Sequence, residues 1–354
     1  MVGEPLMALV SRGERIGDSL VVDRMLGEGA FAEVHRVEHR YLGWQAMKVF
    51  KRVTSEAETR ELLEEGRLLS TLGHRHIIRL FDVGTLATTE GQRGYFTMEY
   101  VPGGTLERFI VAHRPAAPTD VVAEVIAQIA AGLAVAHDQD PPVLHRDITT
   151  ANILVGYDGA GLRIRISDFG LAKRADPFTR LASAQGTYAF MAPEVMRNGG
   201  YSCAGDVWSV GVLAYLMLTD HLPYDDGVPF VPNRYVRFRR PLLPPSSYNE
   251  TVDEELDRIV TAALVVDPWK RTPTARELGD ALAARRVRAP EAADTTAPPS
   301  ARARSLVDEA HTLSHSPGGL RRAADLLEEA IGLSPRLAEQ HAHTLILWRR
   351  GVVM

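Results

Sequence analysis

"LHRDITTAN", residues 144–152, sets His145, Arg146 and Asp147 side by side and places Asn152 five positions after the Asp. Twenty-one residues beyond Asp147 comes "ISDFGLAK" with Asp168. Three oxygen-bearing side chains that can accept a proton or bind a hard cation therefore fall in order along one stretch. Two positions after Asp147 stands Thr149, a neutral hydroxyl.

Upstream, "LGEGAFAEV", residues 26–34, follows a predicted strand. Gly27 and Gly29, with Glu28 between them, let backbone amides approach a phosphate, although Ala32 takes the position of a third glycine and such glycines often mark only a tight turn. In "AMKVF" the strand alternation turns Lys48 away from Met47 and Val49. A Lys there is usually a solvated strand residue. It gains meaning from Glu65 on the following helical stretch, nine residues before His74, with Glu64 as the neighbouring competitor.

The segments around these residues define a fold class. Residues 1–100 favour strands: "SLVVDRML", "AEVHRVEH", "QAMKVF" and "YFTMEYV" are short, β-branched or aromatic, and divided by Gly-containing turns. One helix, "SEAETRELLEEGRLLSTL", interrupts them. From about residue 105 helices dominate: "VVAEVIAQIAAGLAVAH", "DVWSVGVLAYLML", "DEELDRIVTAALVV" and "ARELGDALAARRV", the last opened by a Thr274/Glu277 capping box. Strands first and helices after predict an α+β protein of two unequal lobes.

The set of motifs resembles the eukaryotic-type (Hanks-type) serine/threonine protein kinase family, in a compact, Ala/Arg-rich form that suits a bacterial member. "MAPE" at 191–194, "DVWSVG" at 206–211 and Arg271 in "DPWKR" complete the resemblance, which covers residues 16–286. It implies a bilobal kinase fold with a β-rich N-lobe and a helical C-lobe. It implies ATP as the phosphate donor, with Mg²⁺, or Mn²⁺ in its place. Lys48 held by Glu65 would grip the nucleotide phosphates, and Asp168 and Asn152 would hold metal. Asp147 would orient and deprotonate the attacking hydroxyl. Met98 matches the gatekeeper position. The backbone of Glu99 and Val101 would meet adenine, with Leu26, Val34, Ala46 and Leu154 on its faces. Leu69, Leu80, His145 and Phe169 match the apolar stack joining the lobes, Glu194 and Arg271 a buried ion pair, and Asp206 a cap on the catalytic-loop backbone.

One departure bears on rate. Where most serine/threonine kinases carry a Lys that holds the transferring phosphate, this chain has Thr149. One missing preorganised donor is worth about 2.7–4 kcal/mol, or about a hundred- to a thousandfold in rate if nothing compensates. Thr187 after Gly186 follows the serine/threonine pattern. Arg146 offers a cation to a phosphorylated activation loop, with Ser183 and then Thr179 as the sites. The alternative reading is a nucleotide-binding pseudokinase acting as a signalling scaffold; intact Lys48, Glu65, Asp147, Asn152 and Asp168 argue against it.

The chain has 354 residues, 45% hydrophobic and 24% charged, with a formal net charge of −5. That composition suits a globular protein with a sizeable core and gives no electrostatic reason to expect nucleic acid as a partner. The most apolar helix is broken by Glu124 and Gln128, so a buried helix is expected rather than a membrane span, and a cytoplasmic protein acting on protein substrates follows. Cys203 is the only cysteine and is read as a packing residue. Residues 287–303, rich in Ala and Pro, are expected to form an extended linker. In residues 304–354, Ala323, Ala330 and Pro335 follow the spacing of a tetratricopeptide repeat, a module that would bind a protein partner; a generic helical hairpin is the competing reading.

Overall fold

The structure is a computed structural model that describes residues 8–29, 32–51, 71–88, 91–158, 161–169, 188–197, 199–225, 227, 235–288, 301–314, 316 and 319–333, with single residues between 337 and 348. The chain divides into a first unit, residues 1–156 and 163–284, and a second, residues 157–162 and 285–354.

The first unit opens with a six-stranded antiparallel sheet: β1 (Arg15–Ile16), β2 (Leu20–Glu28), β3 (Ala32–His39), β4 (Gly43–Phe50), β5 (Leu80–Thr88) and β6 (Gly91–Glu99), in spatial order β1-β2-β3-β4-β6-β5. Strand alternation sorts its residues between two faces. Val37, Met47 and Val49 turn to one face, where they pack with Ile16, Leu20, Val22, Leu86 and Tyr95 beneath Val10 of the N-terminal segment. The intervening residues turn to the other face, where the register sets Val34 opposite Lys48 and Ala46 opposite Met98. The helix expected over residues 55–72 lies outside the described residues apart from its last two positions.

The helical part comprises α1 (Leu106–Ala112), α2 (Thr119–His137), α3 (Pro193–Met196), α4 (Cys203–Thr219), α5 (Glu254–Ala263) and α6 (Ala275–Arg288), with the β7 (Ile153–Asp158) and β8 (Gly161–Ile166) hairpin between α2 and α3. Among the described residues α2 alone is long and apolar enough to cross a membrane. Here it is a core helix: Val122, Val125, Ile129 and Leu133 are fully buried. Helix α4 begins where Ser202 Oγ accepts from the Gly205 amide at 3.1 Å, and α5 where Asp253 accepts from Leu256 at 2.9 Å. At α6 only half of the expected capping box forms. Thr274 Oγ accepts from the Glu277 amide at 3.2 Å, while the Glu277 carboxylate sits on that same hydroxyl.

The segment joining sheet and helices passes tightly over β7. A Cβ on Gly103 would lie 1.9 Å from the Val155 carbonyl oxygen, so only glycine fits there. The second unit contains α7 (Ala301–Ser314) and α8 (Leu320–Leu333), which bury Ala303, Val307, Ala310, Ala323, Leu327 and Ala330 with Leu337 and Trp348. Residues 287–288 and 301–303, expected in the linker, are helical instead, because Ala and Arg are strong helix formers wherever Pro is absent. Residues 289–300 lie outside the described residues.

Candidate active site

The cleft face of the sheet carries a small apolar cage. Ala46, Ile78 and Met98 are buried together, with Val34, Leu80, Val101 and Leu154 packed against them. Five of these seven were expected at an adenine site from sequence. They meet because β4 pairs with β3 on one side and β6 on the other, while a bridge between Thr105 and Leu154 brings β7 up from below. Leu26, at the end of β2, is 39% exposed and stands outside the buried cluster. Gly27 and Glu28 lie on β2, Gly29 donates to the Ala32 carbonyl at 2.9 Å to close the hairpin, and the Glu28 side chain pairs with Lys51 at 2.5 Å.

Next to the cage are the charged groups. Lys48 Nζ lies 2.8 Å from Asp168 Oδ2, with the two side chains 13% and 24% exposed. Glu65, expected to hold Lys48, lies outside the described residues, as do Leu69, Thr179, Ser183, Gly186 and Thr187. Asn152 Nδ2 donates to Asp147 at both its backbone oxygen (2.7 Å) and its Oδ2 (2.9 Å). The Asn152 amide nitrogen is thereby committed to Asp147, and its amide oxygen is free of that contact. Burial raises the pKa of the Asp147 carboxyl; nearby His145 and the Asn152 bond pull it back, and Asp168 adds to the rise. Thr149 is 8% exposed, so the residue in the usual lysine position faces protein rather than bulk water.

The loop bearing Asp147 is held by hydrogen bonds that sequence alone only partly signalled. Arg146 and Asp168 both adopt left-handed backbone angles, φ 70° and 62°, a conformation that costs a non-glycine residue about 1–3 kcal/mol. Asp206, 3% exposed at the start of α4, offsets that strain by accepting from the amides of His145 (2.7 Å) and Arg146 (2.8 Å). A third donor to Asp206 is His137 Nε2 at 3.1 Å. His137 Nδ1 accepts from the Ala275 amide at 3.4 Å, which fixes the proton on Nε2. The same logic holds for His145: Nδ1 accepts from the Asp147 amide at 3.3 Å, so Nε2 donates to the Ser167 carbonyl at 2.8 Å. Ser167 in turn bonds the Asn152 carbonyl through its amide (2.9 Å) and its hydroxyl (3.0 Å). His137 and Ser167 were not singled out from sequence; an apolar helix ending in His eight residues before His145 was the available signal for the first.

The remaining expected positions also have defined surroundings. The His145 and Phe169 rings meet at a tilt of 56° with centroids 4.6 Å apart, and Leu80 packs on the cage. Arg271, whose side chain is fully buried, forms a two-pronged ion pair with Glu194 at 2.6 and 2.8 Å. Its other protons go to the carbonyls of Val265, Ala204 and Val266. The Arg146 guanidinium lies 5.3 Å over the Tyr201 ring, and its buried Nε has no acceptor among the described residues.

A bilobal α+β fold with a Lys–Asp pair and an Asp–Asn pair beside an apolar cage defines a class, and sequence comparison agrees: the protein kinase domain matches residues 20–281. The chain belongs to the protein kinase family. It is similar to serine/threonine-protein kinase PknB of Mycobacterium tuberculosis, 30% identical over 273 residues that make up 74% of this chain and 42% of PknB. It is also similar to serine/threonine-protein kinase PrkC of Bacillus subtilis, 28% identical over 272 residues, or 75% of this chain and 40% of PrkC. The chain thus spans about two fifths of the length of the curated relatives it matches. Among solved structures, the PknI kinase domain of Mycobacterium tuberculosis aligns with a TM-score of 0.56 at 26% identity, covering 78% of this chain and 99% of that one.

Proposed function

We propose that this chain is a serine/threonine protein kinase that transfers the γ-phosphate of ATP to hydroxyls of protein substrates. The observation that carries the reading is the adjacency of Lys48–Asp168 and Asp147–Asn152 at the edge of the apolar cage. An adenine needs two apolar faces, its phosphates need a cation, and the attacking hydroxyl needs a carboxylate in line with the phosphate.

The residues suit the parts they would play. The cage would receive the base, with the backbone of Glu99 and Val101 along its edge. Lys48 would bind phosphate oxygens, and the nearby backbone of Gly27 and Gly29 would cover them. Asp147, with its amide neighbour Asn152 fixing the carboxylate orientation, would take the proton of a Ser or Thr hydroxyl. Among the described residues no group of three or more His, Cys, Asp or Glu could hold a metal ion. Asp168 and the Asn152 amide oxygen are nonetheless hard donors that fit Mg²⁺, which completes its shell with phosphate and water. Bound there, Mg²⁺ would neutralise the charge of the β and γ phosphates.

The Arg146 Nε, without an acceptor among the described residues, supports a phosphorylated activation loop, with Ser183 or Thr179 as the phosphorylated residue. We further propose a kinase domain at residues 16–286 and a tetratricopeptide-like module at 304–354 that binds a protein partner.

Purified chain incubated with radiolabelled ATP, Mg²⁺ and a generic basic protein is expected to yield phosphoserine and phosphothreonine, and an Asp147→Asn variant none. A folded, nucleotide-saturated wild-type protein that labelled nothing above that variant would refute the assignment.

A further inference from the structure

This inference rests on the nucleotide-site reading above and concerns what fixes the end of β6. That strand stops at Glu99, whose amide donates to the Arg79 carbonyl at 2.9 Å; Tyr100 is the first residue past the ladder, and Val101 belongs to the cage. Once a chain leaves a sheet its backbone is held only by what its side chains and neighbours touch. Glu99 is held by Arg165, which donates to both carboxylate oxygens at 2.8 Å. That leaves Tyr100 as the residue whose position must be set some other way.

Arg36 meets it. The register puts Arg36 opposite Ala46, which is opposite Met98, so Arg36 occupies the same row on the cleft face as two cage residues. The next row outward holds Trp44, and Tyr100 follows Met98 by two positions. The Arg36 guanidinium stacks over the Trp44 ring at 4.2 Å and lies 5.7 Å from the Tyr100 ring centroid. Asp23 fixes it in place, accepting from Nε at 2.7 Å and Nη2 at 2.5 Å. The guanidinium pKa is raised, chiefly by the hydrogen bond it donates to Asp23, with one it donates to the Tyr100 hydroxyl contributing against the cost of partial burial. A planar cation carrying several donors can satisfy a carboxylate in its plane while offering both faces to aromatic rings; an ammonium cannot.

We propose that Arg36 is a positioning residue for the nucleotide base: by tying the Tyr100 side chain to the sheet, it holds the Glu99–Val101 backbone where adenine must meet it. Arg36 pairs with none of Lys48, Asp147, Asn152 and Asp168 but with Asp23, Trp44 and Tyr100, so its removal should weaken nucleotide binding and leave the chemical step intact.

Four variants, Arg36→Met, Arg36→Lys, Tyr100→Ala and Tyr100→Phe, test this. Calorimetry measures MgADP affinity, steady-state assays separate the KM for ATP from kcat, and thermal unfolding monitors the fold. Arg36→Met and Tyr100→Ala are expected to raise both the MgADP Kd and the KM for ATP about two- to fivefold, the range a solvent-accessible cation–aromatic contact supplies. kcat should stay within about twofold. Combining the two should weaken binding no further than the stronger single change, because both break one clamp. Tyr100→Phe, which keeps the ring, should retain most of the affinity, and Arg36→Lys, which keeps the charge beside Asp23 but cannot stack, should not. A lowered melting temperature with unchanged MgADP affinity would make the sandwich a fold staple and overturn the proposal. If Arg36→Met fails to fold, Arg36→Lys decides it: a folded Lys variant with wild-type affinity overturns it equally. Wild-type protein that does not bind MgADP would instead refute the nucleotide-site reading, a failure distinct from that of Arg36.

Discussion

Arg271 should be the least replaceable charged side chain in the helical part. It is fully buried, spans both oxygens of Glu194, and is saturated by three backbone carbonyls from two segments of chain, residues 204 and 265–266. Arg271→Met keeps most of the side-chain volume and removes every one of these bonds. It strands a Glu194 carboxylate whose side chain is only 14% exposed. Breaking a buried pair from one side costs about 3–5 kcal/mol. At about 2–4 °C per kcal/mol for domains of roughly this size, the melting temperature should fall by about 6–20 °C. Replacing Glu194 by Met as well removes the stranded charge, so the double variant should be more stable than the sum of the two single losses predicts, by about 0.5–3 kcal/mol. Differential scanning calorimetry on the four proteins closes the cycle. Because the pair lies away from Lys48 and Asp168, MgADP affinity of the folded Arg271→Met protein should remain near wild type. A fall of less than about 3 °C, or strictly additive losses, would refute the view that the pair is desolvated and mutually dependent.

Three further outcomes follow from the site. Lys48→Met should lower phosphorylation by about a hundredfold or more, one preorganised donor being worth about 2.7–4 kcal/mol, with the fold retained by circular dichroism; activity within tenfold of wild type would remove Lys48 from the phosphate-binding role. Asp147 has its pKa raised, chiefly by burial, so the protonated carboxyl is favoured in the fold and its contribution to stability fades as pH rises past that value. Asp147→Asn should therefore be at least as stable as wild type at pH 8 while inactive, and the acid limb of the wild-type rate profile should sit above the ordinary Asp range; a less stable Asn variant would contradict this. His76, 7% exposed and bonded to the Ile164 carbonyl at 3.1 Å, has its pKa pushed down to about 4, chiefly by desolvation. Its contribution is complete above the unfolded value near 6.5 and declines as pH falls toward 4, a span worth roughly 3 kcal/mol. His76→Gln should flatten the denaturation midpoint between pH 7 and 4, and an unchanged slope there would show that other groups dominate.

The strands "AEVHRVEH" and "QAMKVF" and the four long helices were legible because period-2 and period-3.6 patterns are local properties. β5 was not anticipated: "LFDVGTLAT" leaves most of its residues partly exposed, so no clear alternation marks it. The β7–β8 hairpin and the short α1 escaped for a related reason, since tertiary contacts rather than pattern stabilise short elements.

Lys48, Asp147, Asn152 and Asp168 could be singled out in the sequence because each stands in a motif only a few residues long that resembles one of the protein kinase family. What the sequence left unread is a further set of pairings between groups far apart in the chain. Lys48 meets Asp168, His137 donates to Asp206, Arg165 seizes Glu99, and Arg36 meets both Trp44 and Tyr100. Each such contact depends on sheet register, helix packing and the loss of water around a charge, quantities that exist only once the chain has folded on itself.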